Sequence, residues 1–261
     1  MTPVPPAPTP PPVFDFHARL VPQEGAAARL LGTMDAHGIT RAAVSAGGTI
    51  PLDLLSRQLV EGGHIETDAD NDAVLAACRT SGGRLVPFHF ANPHREPGAY
   101  AGRAAEFRGL EISPAVHGVP FADPRTHALV EIAERHRHPV YTVCLHRPGA
   151  MVRDLAALAA AFPRVTFVLG HSGVGEIDLH GIGLIKDSPN VLLETSGGYS
   201  AVIRLAVERL GARRLLFGTE HPLQHPAVEL AKYAALGLEH RQLRQILWHN
   251  AADLLGPEDP L

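Results

Sequence analysis

The stretch VFDFHARLVP, residues 13–22, decides between two architectures. It is a short apolar run of β-favouring residues that ends on His17 and Arg19, and no glycine-rich turn follows it. A doubly wound open sheet usually places such a turn after its first strand, where backbone N–H groups cradle a phosphate. Without it, a closed barrel is the better account of the chain beyond.

Seven further strand-like runs follow: RAAVSA (41–46), LVPFHF (85–90), FRGLEIS (107–113), VYTVCL (140–145), RVTFVLG (164–170), NVLLETS (190–196) and RRLLFG (213–218). Several are almost wholly apolar, as strands of a parallel sheet covered on both faces should be. Segments of helical period separate them. Residues 24–38 stop at Gly38, residues 67–83 open on aspartates suited to capping, and residues 123–139 carry Pro124 in a first turn. Residues 151–162, 201–210 and 228–236 follow the later strands. The last helix, residues 239–256, puts Leu243, Ile246, Leu247 and Leu254 on one face and stops at Gly256 and Pro257. Residues 51–66 form an inserted helix and loop over one mouth. Eight strand–helix alternations in 261 residues predict a (β/α)8 TIM barrel over residues 13–261, a fold that typically takes about 250 residues. Residues 1–12, MTPVPPAPTPPP, read as a proline-rich disordered arm.

A 45% apolar composition supplies a large core. The net charge of −4 leaves no electrostatic footprint for nucleic acid or an anionic membrane. No apolar run is long enough to span a bilayer, and the first residues lack the pattern of a secretory signal. Two cysteines, Cys78 and Cys144, argue against a disulfide framework and fit the reducing cytoplasm. The expected partner is a small-molecule or peptide-like substrate, an anionic one being favoured by Arg19; a homodimer is the default assembly.

Active sites of such barrels lie at the C-terminal ends of the strands. Here those ends carry His17, Ser45, His89, Glu111 with Ser113, Cys144 with His146, His171, Glu194 with Ser196, and Glu220. Any one strand-end histidine is more often a structural hydrogen-bonding residue than a ligand. Cys144 reads as a small core residue, His89 and His94 as residues fixing a loop, His117 as lining the mouth or facing water, and Glu194 as facing the barrel wall. Together, however, several imidazoles and carboxylates at one mouth suit a divalent transition metal.

These motifs resemble the amidohydrolase superfamily, in particular its amidohydrolase-2 group of metal-dependent hydrolases and decarboxylases. FPRVTFVLGHSG (162–173) is similar to the sixth-strand segment that delivers a histidine, here His171. NVLLETSG (190–197) resembles strand seven, RRLLFGTEHPLQHP (213–226) the strand-eight signature and HNAADLLG (249–256) the closing helix with its Asn-Ala pair; FRGLEISP (107–114) and HPVYTVCLH (138–146) fit more loosely. The resemblance implies Asp-x-His-x-His on the first strand, met by Asp15 and His17 but with Arg19 in the second histidine's place. It implies a strand-five histidine, with His146 preferred and Cys144 the competitor. It also implies His171 as acid/base group or ligand, and a strand-eight aspartate that is here Glu220.

Two departures carry the most information. A guanidinium cannot ligate a cation, and the extra methylene of Glu220 moves its carboxylate outward. A divalent metal, zinc foremost, held by His17, His146 and Glu220 with water in the fourth place, satisfies the count for a catalytic site. Equally, Arg19 can fill a lost metal's place, pair with Glu220 or hold a substrate carboxylate. The leading expectation is hydrolysis of an amide, lactam, lactone or related C–N or C–O bond. Glu220 would take the proton of a metal-activated water, His171 would assist the product, Arg19 would act as a catalytic cation orienting an anionic substrate, and His89, Glu111 and His117 would contact it. The alternatives are a decarboxylase or lyase of the same fold, metal-dependent or metal-free, and a non-catalytic binding protein on a decayed scaffold.

Overall fold

The computed structural model describes residues 11–256. The expected arm at residues 1–12 lies outside them, apart from Pro11 and Pro12. Eight parallel strands run in sequential order: β1 (Val13–Leu20), β2 (Ile39–Ala46), β3 (Leu85–Phe90), β4 (Gly109–Ile112), β5 (Val140–Thr142), β6 (Phe167–Leu169), β7 (Val191–Glu194) and β8 (Leu215–Leu216). The seam between β1 and β8 is joined by backbone bonds from Phe16 N to Phe217 O (2.8 Å) and from Arg19 N to His221 O (2.7 Å). A third bond runs the other way, from Glu220 N to His17 O (2.8 Å). The predicted TIM barrel is therefore the observed fold, with observed strands mostly shorter than the apolar runs that announced them. The exceptions are β1, which continues through Arg19 to Leu20, β2, which begins two residues earlier at Ile39, and β3, which matches its run.

The helices are α1 (Ala26–Ala36), α2 (Leu52–Glu61), α3 (Asn71–Arg79), α4 (Gly98–Ala101), α5 (Pro114–His117), α6 (Pro124–His136), α7 (Val152–Ala161), α8 (Leu179–Leu184), α9 (Ser200–Leu210) and α10 (Pro226–Ala235). Asp70 caps α3 by accepting from Ala73 N (2.9 Å), and Asp123 caps α6 by accepting from Arg125 N (2.9 Å), as aspartate before a helix should. The inserted helix is α2. The last helix is divided by a π-helical turn at Gln245–His249 into α11 (His240–Arg244) and α12 (Asn250–Leu255). Asn250 ties it to the barrel by donating to Ala212 O and Leu215 O. Among the described residues, no helix is long and apolar enough to cross a membrane.

Alternation along the strands sorts side chains into two cores. Phe14, Phe16, Ala43, Val86, Phe88, Tyr141, Val168 and Leu216 fill the barrel interior. Val13, Ala42, Val44, Leu85, Leu110, Ile112, Val140 and Cys144 face the helices. Trp248 closes the floor against Phe14 (ring centroids 5.8 Å), with the Arg41 guanidinium 4.8 Å from the same ring and bonded to Gly256 O.

Two histidines, His89 half-buried and His138 buried, flank Tyr100 in the outer layer. His89 stacks on its ring (4.8 Å), and His138 Nδ1 lies 2.6 Å from its hydroxyl. Burial, helped by Arg103 and His138, pushes His89 down to about 4; burial and His136 do the same to His138. A base whose folded-state pKa is depressed adds stability that is fully present above its ordinary pKa of 6.5 and is lost as pH falls toward 4. Each imidazole accounts for up to about 3 kcal/mol over that window. The urea midpoint should therefore drop steeply between pH 6.5 and 4, and His138→Gln should flatten the drop. An equally steep profile in the variant would exclude this cause.

Candidate active site

Strict alternation would point His17 and Arg19 away from the face of Phe14 and Phe16, toward the helices. A bulge prevents it. Asp15 pairs with Ala42 and Ala18 with Val44, so Phe16 and His17 together oppose Ala43. The extra residue turns both side chains inward and resets the alternation, which brings Arg19 to the mouth as well. Asp15 remains behind the seam, buried, where it accepts from His17 N (3.1 Å), Thr219 N (2.9 Å) and the Thr219 hydroxyl. Burial raises its pKa to about 6 against the pull of those bonds. It is a fastening between β1 and the chain after β8, not a member of the cluster.

The cluster joins strand ends one, four, six and eight. His17 Nε2 lies 2.6 Å and His171 Nε2 3.3 Å from Glu220 Oε2. Arg19 donates from Nε to Glu220 Oε1 (3.1 Å), from Nη2 to Glu111 Oε1 (2.8 Å) and from Nη1 to Ala46 O (3.4 Å). His171 and Glu220 both take left-handed backbone conformations, with φ of 57° and 55°. Such strain in non-glycine residues persists only where the surroundings enforce it. Burial disfavours a charged His17, but the Glu220 and Glu111 carboxylates together more than offset it and lift the imidazole's pKa above the ordinary value. Burial also favours a neutral Glu220, yet His17, His171 and Arg19 hold its carboxyl well below the usual carboxylate range.

A second row of residues orients the first. Buried Glu194 accepts from the Tyr141 hydroxyl (3.1 Å), the Ser196 hydroxyl (2.9 Å), His171 N (3.2 Å) and Ser196 N (2.5 Å). Because the Ser196 proton goes to Glu194, the contact between Ser196 Oγ and His171 Nδ1 (2.9 Å) requires Nδ1 to be the donor. His171 thus turns its Nε2 lone pair toward Glu220. Tyr141 in turn stacks on His17, with centroids 4.0 Å apart and planes 11° from parallel.

The structure corrects three sequence expectations. His146 is exposed, beyond the end of β5 at Thr142, and does not join the cluster. Its competitor Cys144 faces the helices in the outer core, since the inward parity of β5 belongs to Tyr141. His89 likewise points outward, between the inward-facing Phe88 and Phe90, and so does not reach the cluster. His117 is fully buried against Thr67 O (3.3 Å) and the edge of Phe90, beside the mouth rather than in it. Glu111 is brought in through Arg19. Tyr141, Glu194 and Ser196 form a network that the residue-by-residue reading did not assemble. Their available signal was Gly170 and Gly218, where a Cβ would overlap the Tyr141 hydroxyl and Glu194 Oε1 respectively.

Ligand atoms of His17, His171 and Glu220 all lie within 4.8 Å of one another. His17 Nε2 and Glu220 Oε2 are buried and close but not aligned as a hydrogen bond, so neither satisfies the other. Donors that converge without pairing suit a shared cation, and two imidazoles with one carboxylate are a transition-metal donor set.

The family model for amidohydrolases matches residues 14–256. The chain belongs to the amidohydrolase family. Among solved structures, this amidohydrolase is similar to a manganese-bound 5-carboxyvanillate decarboxylase from Novosphingobium aromaticivorans, with 15% identity over 94% of this chain and 97% of that one and a TM-score of 0.69. It is similar to a putative 2-pyrone-4,6-dicarboxylic acid hydrolase from Pseudomonas putida (18% identity, 95% and 98% coverage, TM-score 0.69). It also resembles a 2,6-dihydroxybenzoate decarboxylase from Rhizobium (16% identity, 94% and 98% coverage, TM-score 0.67). A search of curated proteins finds no match. At these identities the likeness establishes the fold.

The glycine beneath Glu194 gives a direct check on the network. Gly218→Ala should cost about 1–3 kcal/mol through overpacking, read as a lower urea midpoint at unchanged slope. A midpoint equal to the parent's would show that Glu194 has room to move.

Proposed function

We propose that this amidohydrolase is a metal-dependent decarboxylase of a small aromatic carboxylate. The observation that carries the reading is Arg19. Its guanidinium sits at the edge of the metal-competent cluster, held by Glu111 and Glu220, with the Phe90 ring 5.7 Å away. Five N–H groups make three bonds there, which leaves two for a substrate carboxylate. Phe90 offers an apolar wall for the attached ring. Support also comes from the decarboxylases among the structural neighbours.

His17 and Glu220 would hold a divalent metal, zinc or manganese by donor chemistry, which would supply Lewis acidity toward an anionic oxygen, and His171 would be left to carry a proton. This chain's own groups account for the rest. Arg19 binds and orients the carboxylate through fixed N–H groups. The C–C bond between ring and carboxylate breaks, CO2 leaves, and the ring carbon takes up a proton. His171 Nε2, 3.3 Å from Glu220 Oε2, holds that proton. Ser196 and Glu194 keep His171 turned toward it. A satisfied network of this kind argues against a decayed scaffold.

Hydrolysis is the second reading. It is favoured by an ionised Glu220 beside His171, a pair able to take a proton from water, and by the pyrone hydrolase among the neighbours.

The test sets hydroxybenzoates against lactones, pyrones and amides, with CO2 release as the readout. CO2 should be released from a hydroxybenzoate, abolished by chelator and restored by Mn2+ or Zn2+. Glu220→Gln should lower kcat about 10²–10⁴-fold, and Arg19→Gln should raise KM about tenfold. Turnover of a lactone, pyrone or amide with no CO2 from any hydroxybenzoate would establish hydrolysis instead.

A further inference from the structure

A second set of ligating side chains meets at the barrel mouth, away from the central cluster. His64 Nε2 lies 3.8 Å and His94 Nδ1 3.7 Å from Glu66 Oε1. The two imidazoles are stacked, 5.1 Å apart and 16° from parallel, and ligand atoms of all three residues fall within 4.8 Å of one another. We propose that His64, Glu66 and His94 form a second divalent-metal site, of zinc type, clamping the segment between α2 and α3 to the loop after β3.

Three features support a built site. His94 Nε2 lies 2.8 Å from the carbonyl of His117, which can only accept, so Nε2 carries the proton and Nδ1 presents its lone pair to Glu66. A backbone carbonyl that fixes the far nitrogen is the usual support of a metal-bound histidine. The Glu66 backbone is pinned, its carbonyl accepting from Asn92 Nδ2 (2.9 Å) and Arg95 Nη2 (2.8 Å). His64 is positioned by Gly118, where a Cβ would come within 2.8 Å of the His64 Cβ, and by the adjacent bond from Ile65 N to Val116 O (3.0 Å). Two imidazoles and a carboxylate, with water completing the shell, form a borderline-soft set that selects zinc-like ions over calcium or magnesium.

One group competes for the position. Arg125 Nη1 lies 3.3 Å from His94 Nδ1. The guanidinium's main partner is Asp123, held through Nε (2.9 Å) and Nη2 (2.8 Å), so Nη1 can release His94 without losing that pair. The site also bears on the mouth. His94 hangs from the His117 carbonyl, the His117 ring meets the edge of Phe90 at 5.5 Å, and Phe90 underlies Arg19.

The experiment is a metal titration of the chelator-stripped full chain, with Zn2+ by calorimetry and Co2+ by visible absorption. The double variant His64→Ala/Glu66→Gln should bind one equivalent fewer than wild type. His17→Ala/Glu220→Gln should retain the equivalent that the first pair loses. Arg125→Gln should tighten that equivalent about fivefold by removing a neighbouring positive charge. Equal stoichiometry in wild type and the His64→Ala/Glu66→Gln variant, or no tightening in Arg125→Gln, overturns the proposal. Neither outcome depends on CO2 release, so this site and the proposed reaction fail or survive separately.

Discussion

One extra residue in β1 decides what this barrel can do. The interior needs Phe14 and Phe16 on its inner face, and the mouth needs His17 and Arg19 on that same face one step later. A regular strand cannot supply both, because successive side chains alternate. The bulge opposite Ala43 resolves the conflict at the place where β1 meets β8. Asp15 and three backbone bonds fasten that seam, so Glu220 arrives opposite His17 at a distance set by the main chain. The rest of the cluster is arranged around this pair.

Charge balance explains why an arginine is tolerated in such a place. Glu111 and Glu220 are both buried, and each places one oxygen on Arg19. Either carboxylate left unpaired would be costly to bury. Arg19 answers for both, while burial opposes its own charge less strongly than Glu111 and Glu220 support it. The far side of Glu220 stays compatible with a cation, since its second oxygen turns to the imidazoles.

The eight strands were legible because parallel strands sheathed by helices must be apolar on both faces, and eight such runs stand out between periodic helices. His171 and Glu220 were legible through the motifs around them. The strand-five residue was not. VYTVCLH has an inward and an outward series, and nothing in the letters says which Tyr141 belongs to; once Tyr141 faces in, Cys144 must face out. His89 failed for the same reason, since one step of parity separates a mouth residue from an outer-layer one. The bulge, the left-handed backbone at His171 and Glu220, and the convergence of Tyr141, Ser196 and His171 on Glu194 arise from tertiary contact and leave no local periodic signature. Only Gly170 and Gly218 mark, in the sequence, the room that Tyr141 and Glu194 occupy.

The floor has a consequence for access. With Phe14 packed under Trp248 and Arg41 bonded across to Gly256, the lower end of the barrel is sealed by side chains. Anything that enters past Phe90 leaves past Phe90. A ligand of the cluster therefore enters and leaves by the same end of the barrel.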